Sequence, residues 1–379
     1  MTAPVVKGWC PGALRPMQSG DGLVVRVRPF RAEVTRNQAF ALCDISDKFG
    51  NGVLDLTSRA NVQIRGVREA SHPDVISALA ALDLLDQSEK VERHRNILMP
   101  FDWQQDDLTY QLHDAIVSIL PDLPDLPGKM GFALDTTGIL QLQDASADFR
   151  IEGINDQVIL RADGSDRGWP LDGDTSQVTD AIKEMAHWFV ETGGMRAGRM
   201  ARHLATGARL PEAWCATPGA SAASGSLIGW HDQAQIVGIP FGKLETDALR
   251  IALTESKAES IRLMTKRRLA FLNGTGLSSG PFIFEPDHPL MSAHACPGAP
   301  FCPQASVSTL DLARQLAPRV KGGLHVSGCV KGCAHAKPAS ITLVGRDGSF
   351  DLVRNGTTCD TPQVTQISPT EISAMIETF

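Results

Sequence analysis

A chain of 379 residues with 42% hydrophobic and 21% charged residues has the make-up of an ordinary globular protein, long enough for two or three lobes. Its formal charge of −7 argues against nucleic acid as a partner, because a phosphate backbone calls for net positive surface. No apolar run reaches bilayer-spanning length, and Met1-Thr2-Ala3-Pro4-Val5-Val6-Lys7 lacks signal-peptide grammar, so we expect a cytoplasmic protein with no membrane partner.

Residues 23–30 and 53–67 read as strands from their β-branched content and period-two alternation, with a helix over 32–49 between them. A second helix is expected over 73–86, with Pro73 in its first turn. A third, over 176–192, repeats Val178, Ile182, Met185 and Phe189 at helical spacing. The small, Pro/Gly/Ser-rich stretch 216–226 marks a linker. Beyond it the chain repeats itself: 235–241 parallels 24–30 and 261–274 parallels 53–66. This pairs Thr57 with Thr265, Arg59 with Arg267 and Gly66 with Gly274. Chance likeness between two strand–helix–strand units is the alternative, and the shared Pro-Phe, Thr and Gly landmarks favour duplication. One copy is too small to bury a sheet face alone, so the two are expected to pair into one pseudo-symmetric domain. Further on, 308–317 suits a helix and 323–327 a strand.

The copies differ in chemistry. Arg26 and Arg28 share one strand face, and Thr57, Arg59, Asn61, Gln63 and Arg65 share another, while Leu54, Leu56, Val62 and Ile64 face the other way. In the second copy Arg26 and Arg28 align with Val237 and Ile239, and Asn61 and Gln63 with Leu269 and Phe271. A solvated outer face is the bland explanation for the charges. Such a face usually mixes both signs, whereas this one is cationic and amide, which suits a ligand with several carboxylates.

Of eight cysteines, four crowd together: Cys296 and Cys302 in a Cys-x5-Cys pair, Cys329 and Cys333 in a Cys-x3-Cys pair. Two pairs on two loops can bring four thiolates to one iron–sulfur cluster. Pro297, Gly298, Pro300 and Pro303 shape the first loop, and Gly328 and Gly332 let the second approach closely. Four thiolates also make a structural zinc site, although zinc pairs are usually spaced by two to four residues. Cys43, Cys215 and Cys359 read as small buried hydrophobes, and Cys10 as part of a turn or as a neighbour of the ligand. No dinucleotide fingerprint or Walker loop is present.

The paired motifs 293–306 and 324–338 resemble the cluster motif of sirohaem-dependent sulfite and nitrite reductases. The likeness extends through 56–66 (LTSRANVQIRG), 93–100 (RHRNILMP), 126–135 (LPGKMGFALD) and 237–244 (VGIPFGKL). It implies an α+β fold: two ferredoxin-like half-domain repeats, 1–70 and 216–275, pairing into one domain, plus two α+β domains, 71–215 and 276–379, related by pseudo-twofold symmetry. It implies a 4Fe-4S cluster on Cys296, Cys302, Cys329 and Cys333, with the position of Cys333 bridging cluster and haem iron. With the basic face it points to tetrapyrrole contacts from Arg26, Arg28, Arg59, Asn61, Gln63, Arg65, Arg95, Asn96 and Lys129, with Lys129 as a catalytic candidate. His335, close after Cys333, is a second candidate, as iron ligand or proton donor, although a lone His is more often structural. The family's reductases carry sirohaem and two lysines spaced Lys-x-Lys around the oxyanion. Here Lys129 is followed by Gly131, a lost cation that leaves room for a bulkier ligand or for dioxygen. The N-terminal GWCPGALRPM, the DGLVVRVRP segment and SGCVKGCAHA are most similar to a branch of the family in which the macrocycle is the substrate. That branch hydroxylates precorrin-3A with dioxygen and closes a lactone, using the cluster, additional non-haem iron and an electron donor, with NADH acting through a partner reductase. A sirohaem reductase and a non-catalytic tetrapyrrole-binding module are the two rival readings. The latter would have no use for a cluster.

Overall fold

The computed structural model describes residues 10–137, 140–154, 157–219 and 225–375, so residues 1–9 and part of the expected linker lie outside the described residues. Among the described residues no helix is long and apolar enough to cross a membrane.

Alternation in Gly22–Val27 and Val62–Val67 sends Val25, Val27, Val62 and Ile64 into one core. The single strand expected over 53–67 is a hairpin, Val53–Leu56 and Val62–Val67. Its turn is closed by the Thr57 N–H donating to the Asn61 carbonyl at 2.9 Å, with Ala60 at φ 51°. Period-two alternation runs through this turn because it contains neither Gly nor Pro. The second copy makes the same hairpin from Ser260–Met264 and Arg268–Leu272, turning at Lys266 and Arg267 with φ 58° and 59°. The helix expected over 32–49 begins at Arg36, where Thr35 and Gln38 form a reciprocal capping box.

The residues before that helix, Glu33–Thr35, are a strand, and it pairs with Ser260–Met264 of the other repeat. Lys243–Glu245 returns the exchange by pairing with Val53–Leu56. Each half-domain thus has a five-stranded sheet whose edge is covered by its twin. The helices Arg36–Phe49 and Thr246–Ser256 pack together beneath, bridged by Arg250 to Asp44 and Asp47.

Two further sheets share one topology. In the first, Ile97–Leu98, Phe132–Asp135 and Phe149–Ile154 run parallel, followed by antiparallel Gln157–Ala162 and Arg167–Leu171. In the second, Ala293–Ala295, Leu324–Ser327 and Ala339–Arg346 run parallel, followed by antiparallel Ser349–Gly356 and Val364–Ile367. The helices Leu108–Ile119 and Thr175–Glu191 cover the first sheet, and Leu310–Leu316 packs on the second. The fold is therefore α+β: two exchanged half-domains and two equivalent α+β lobes.

The residue pairing between the repeats differs by one from the sequence alignment. The tight turns Phe30–Ala32 and Pro240–Gly242 correspond, with Arg31 and Phe241 both at positive φ. Arg26 pairs across the sheet with Gln63, as Ile236 does with Ala270. Arg26 and Arg28 therefore match Ile236 and Gly238, not Val237 and Ile239. Asn61 and Gln63 match Arg268 and Ala270, not Leu269 and Phe271. The Pro-Phe and Gly landmarks are shifted by one against the backbone, and a slip of one residue exchanges the faces of a strand. Val237, Leu269 and Phe271 belong to the shared core, while the true counterparts Ile236 and Ala270 lie on the opposite face with Ala234, Met264 and Phe101.

Candidate functional site

The basic face of the first half-domain borders a cavity of about 730 Å³, within the range of small-molecule and cofactor sites. Arg15, Arg28, Arg93, Lys129, Arg199 and Arg202 line it against Glu89 and Glu92, in a chain that is acidic as a whole. Its walls come from four places: the segment from Cys10, the strand end at Arg28, the helix Glu89–His94, and the segments 127–129 and 198–202 of the first α+β lobe.

Arg28 is only 4% exposed, its guanidinium donates to the Glu92 carbonyl, and its Nε has no partner. Burial, with Arg26 beside it, lowers its pKa to about 10, so it stays charged at neutral pH. Arg26 donates twice to the Gln63 amide oxygen, at 3.1 and 2.7 Å. Arg59 donates to the Lys129 carbonyl at 2.6 Å and to the Ser146 hydroxyl at 3.2 Å, tying the half-domain to the loop that carries Lys129. Asn61 is buried, its N–H donating to the Thr57 hydroxyl. Lys129 is exposed at the cavity.

Three of the expected contacts are engaged inside the protein. Arg65 is paired with Asp21 at 2.8 Å and Asp55 at 3.3 Å. Arg95 is held by the Asp86 carboxylate, donates to the Arg28 carbonyl, and lies over the Phe30 ring. Asn96 donates to the carbonyls of Arg93 and Met130. Asn96 also corrects the expectation of open space at Gly131. A Cβ there would stand 2.6 Å from the Asn96 carbonyl oxygen and 2.9 Å from its Cβ. The second lysine position of the reductase cage is closed by backbone packing rather than vacated.

Arg15, Arg93, Arg199 and Arg202 were not among the expected contacts. Arg15 lies in the N-terminal GWCPGALRPM segment, and Arg93 lies in RHRNILMP beside Arg95 and Asn96. Arg199 and Arg202 belong to a run, with Arg196, that is conspicuously basic for this acidic chain. Arg199 is largely committed to Asp148, Ser146 and the Ala147 carbonyl.

The second α+β lobe delivers the four cysteines from the ends of parallel strands. Cys296 follows Ala293–Ala295, and Cys329 follows Leu324–Ser327. The Gly328 N–H donates to the Cys296 sulfur at 3.1 Å, and the Ser306 N–H to the Gly328 carbonyl at 3.2 Å. A Cβ on Gly328 would meet Ala305 at 2.6 Å, so the two loops touch only because glycine is there. The thiols act on one another: Cys296 feels Cys302 and Cys329, and Cys333 feels the other three. All four are free thiols, and burial pushes that of Cys296 up. Four convergent thiols with a backbone N–H already on one sulfur fit an iron–sulfur cluster. Among the described residues no group of three His, Cys, Asp or Glu is arranged, as the side chains stand, to hold a single ion. Of the other cysteines Cys43 is buried, Cys215 half-buried and Cys359 exposed. Cys359 thus departs from the expected buried role.

The cysteine loops meet the basic face at its far end. The Phe301 carbonyl, between Cys296 and Cys302, accepts from the Gly20 N–H and the Ser19 hydroxyl. Ser19 in turn accepts from Arg65, roughly 13 Å along the sheet from Arg28. His335 stacks on His294, ring centroids 4.1 Å apart, with His325 at 5.8 Å from His335. His325 is fully buried, neither ring nitrogen has a partner, and burial lowers its pKa to about 4.

Residues 15–82 match the family model of the nitrite/sulfite reductase ferredoxin-like half domain. A precorrin-3B synthase of Sinorhizobium sp is 28% identical over 93% of this chain and 84% of its own length. The structure of the Mycobacterium tuberculosis NirA protein superposes with a TM-score of 0.69 over 94% of this chain and 79% of that one. At 18% identity this is a likeness of fold. The resemblance to the sulfite and nitrite reductase family, and within it to precorrin-3B synthase, is borne out.

Proposed function

We propose, for a chain on the nitrite/sulfite reductase scaffold that aligns along nearly its whole length with a precorrin-3B synthase, that it carries out that reaction. It would be an oxidoreductase of cobalamin biosynthesis that hydroxylates precorrin-3A with dioxygen and closes a lactone. The observation that carries this reading is the cavity: about 730 Å³, lined by six cations against two carboxylates, and joined by one sheet to the cysteine loops. Precorrin-3A is a macrocycle fringed with acetates and propionates, and guanidinium groups grip carboxylates bidentately.

The residues divide the work. Arg28, Arg93, Lys129 and Arg202 would hold the carboxylate rim, with Arg26 and Gln63 along the adjoining face. Arg65, Arg95 and Asn96 would act through the backbone they brace. Cys296, Cys302, Cys329 and Cys333 would hold a 4Fe-4S cluster, which when bound supplies single electrons drawn from an external donor, with NADH acting through a partner reductase. His335, beside Cys333, is the nearest imidazole to that loop. The reductase alternative is weakened by Gly131, because Asn96 closes the place where a second cage lysine would stand.

The test uses precorrin-3A, a reductant and isotopically labelled dioxygen, with mass spectrometry of the product. One labelled oxygen in the tetrapyrrole is expected, and the protein as isolated should show cluster absorption without stoichiometric sirohaem. Bound sirohaem, sulfite- or nitrite-dependent turnover and an unlabelled tetrapyrrole would replace this reading with the reductase one.

A further inference from the structure

We infer that residues 10–15 form a fixed wall of the cavity, positioned by Glu92, that brings the Cys10 sulfur against the bound macrocycle. This rests on the reading that the cavity takes a polycarboxylate tetrapyrrole.

The segment is clamped from both sides. Against the basic strand, the Arg26 N–H donates to the Gly12 carbonyl at 3.1 Å, and the Gly12 N–H closes a turn onto Arg15 at 2.9 Å. Against the helix Glu89–His94, the Glu92 carboxylate accepts the N–H groups of both Ala13 and Leu14. The His72 ring meets the Ala13 carbonyl at 2.8 Å. A Cβ on Gly12 would stand 2.3 Å from the Glu92 carboxylate, so a larger residue there would push Glu92 out of this position. Glu92 is 3% exposed, and burial pushes its carboxyl up against these two donors and Arg28, which favour its charge. Its main-chain carbonyl holds the guanidinium of Arg28. One residue therefore fixes both the wall and the arginine opposite.

That clamp leaves Cys10 half-buried at the cavity, within hydrogen-bonding reach of the Arg26 guanidinium. Cys10 is the only cysteine among the cavity-lining residues. A second observation marks the same cavity as built for a ligand: Arg28, a lining residue only 4% exposed, has an Nε with no hydrogen-bond partner among the described residues. A soft sulfur is suited to the edge or face of a conjugated ring, where it packs without demanding a hydrogen bond.

The test is thiol footprinting of the full-length protein with N-ethylmaleimide, resolved by peptide mass spectrometry, using uroporphyrin III as the probe and its fluorescence to measure binding. Cys10 is expected to react in the free protein and to be protected roughly tenfold at ten times the probe Kd, by simple occupancy. Cys359, exposed and away from the cavity lining, serves as the reference and keeps its rate. Glu92→Gln should speed Cys10 labelling and weaken probe binding while leaving Cys359 unchanged and the buried Cys43 unlabelled. Labelling of Cys43 as well would mean general loosening of the protein and would overturn the role given to Glu92. Saturable probe binding with undiminished Cys10 labelling overturns the wall assignment alone. Absence of probe binding overturns the tetrapyrrole reading and this inference with it.

Discussion

The two half-domains have the same strands, the same exchanged edge and the same helix beneath, yet one sheet face differs completely between them. In the first copy it carries Arg26, Arg28, Gln63 and Arg65. In the second the matching face carries Ala234, Ile236, Met264 and Ala270, with Phe101 from the first α+β lobe closing over it, and its arginines, Arg262 and Arg268, are turned inward onto Glu33 and main-chain carbonyls. The α+β lobes repeat the lesson. Both end two parallel strands at a loop, but only the second lobe places cysteines there. The two half-domains are built alike, yet one face is polar, where the proposed ligand would sit, and the other is packed, because burial of apolar surface stabilises and an unpaired buried charge costs.

The largest effect should come from removing what only one lobe has. Cys329→Ser is expected to abolish the broad visible absorption of anaerobically purified protein, with loss of iron and acid-labile sulfide. Wild-type stoichiometry would show that Cys329 is not a ligand. Next, Ile236→Arg places in the second copy the residue type of the first. With Phe101, Met264 and Ala270 around it, the guanidinium has no partner, and urea unfolding should show a loss of about 3–5 kcal/mol. A loss under about 1 kcal/mol, the scale of surface changes, would mean that the plugged face tolerates charge after all.

A smaller pair of changes sharpens the contrast within the basic face. Arg28→Ala should weaken tetrapyrrole binding by about 1.5–3 kcal/mol, the range for hydrogen bonds to charged groups. Arg65→Ala should instead cost stability, because it takes the ion-pair partner from Asp21 and leaves Asp55 with Lys243 alone, with little change in affinity measured by fluorescence titration. Equal losses of affinity would place Arg65 in the binding site.

What the sequence revealed follows from what alternation and identity can encode. The repeat, the cationic bias of one copy and the cysteine pairing were legible, because composition and spacing carry them. The face that each residue occupies was not read correctly across the repeat. Thr, Pro-Phe and Gly landmarks align one residue away from the backbone match, and no single-strand pattern reveals a slip of one. The turns at Ala60 and at Lys266–Arg267 were hidden because residues other than Gly take positive φ there. Arg95 and Asn96 were chosen by motif, and only coordinates show that Asp86, the Arg93 carbonyl and the Met130 carbonyl already occupy them. Gly198, Arg199 and Arg202 lie far in sequence from the other cavity residues, and tertiary folding alone brings them together.

The smallest expected effect compares the braces of the two strand-end loops. In the first lobe Asp135 ends a strand and accepts the N–H groups of Gln141 and Leu142, at 2.9 and 2.8 Å. At the matching strand end of the second lobe Ser327 donates its hydroxyl to the Cys329 carbonyl. The hydroxyl brace is neutral at every working pH, whereas the carboxylate brace titrates. Burial pushes the Asp135 carboxyl up to about 7, against the two backbone donors that favour its charge, and Glu152 and Asp102 push the same way as burial. The folded state therefore holds this proton more tightly than the unfolded chain does. The resulting stabilisation is complete below the ordinary carboxyl value of 3.8 and is lost as pH rises through about 7. Asp135→Asn cannot titrate. The stability of the native protein relative to this variant should fall as pH rises from about 4 to 7, by at most about 1.4 kcal/mol per pH unit, and level off above. Urea midpoints of both proteins across that range measure it. A difference that is flat from pH 5 to 8 would mean that the two N–H donors outweigh burial and that Asp135 is ionised throughout.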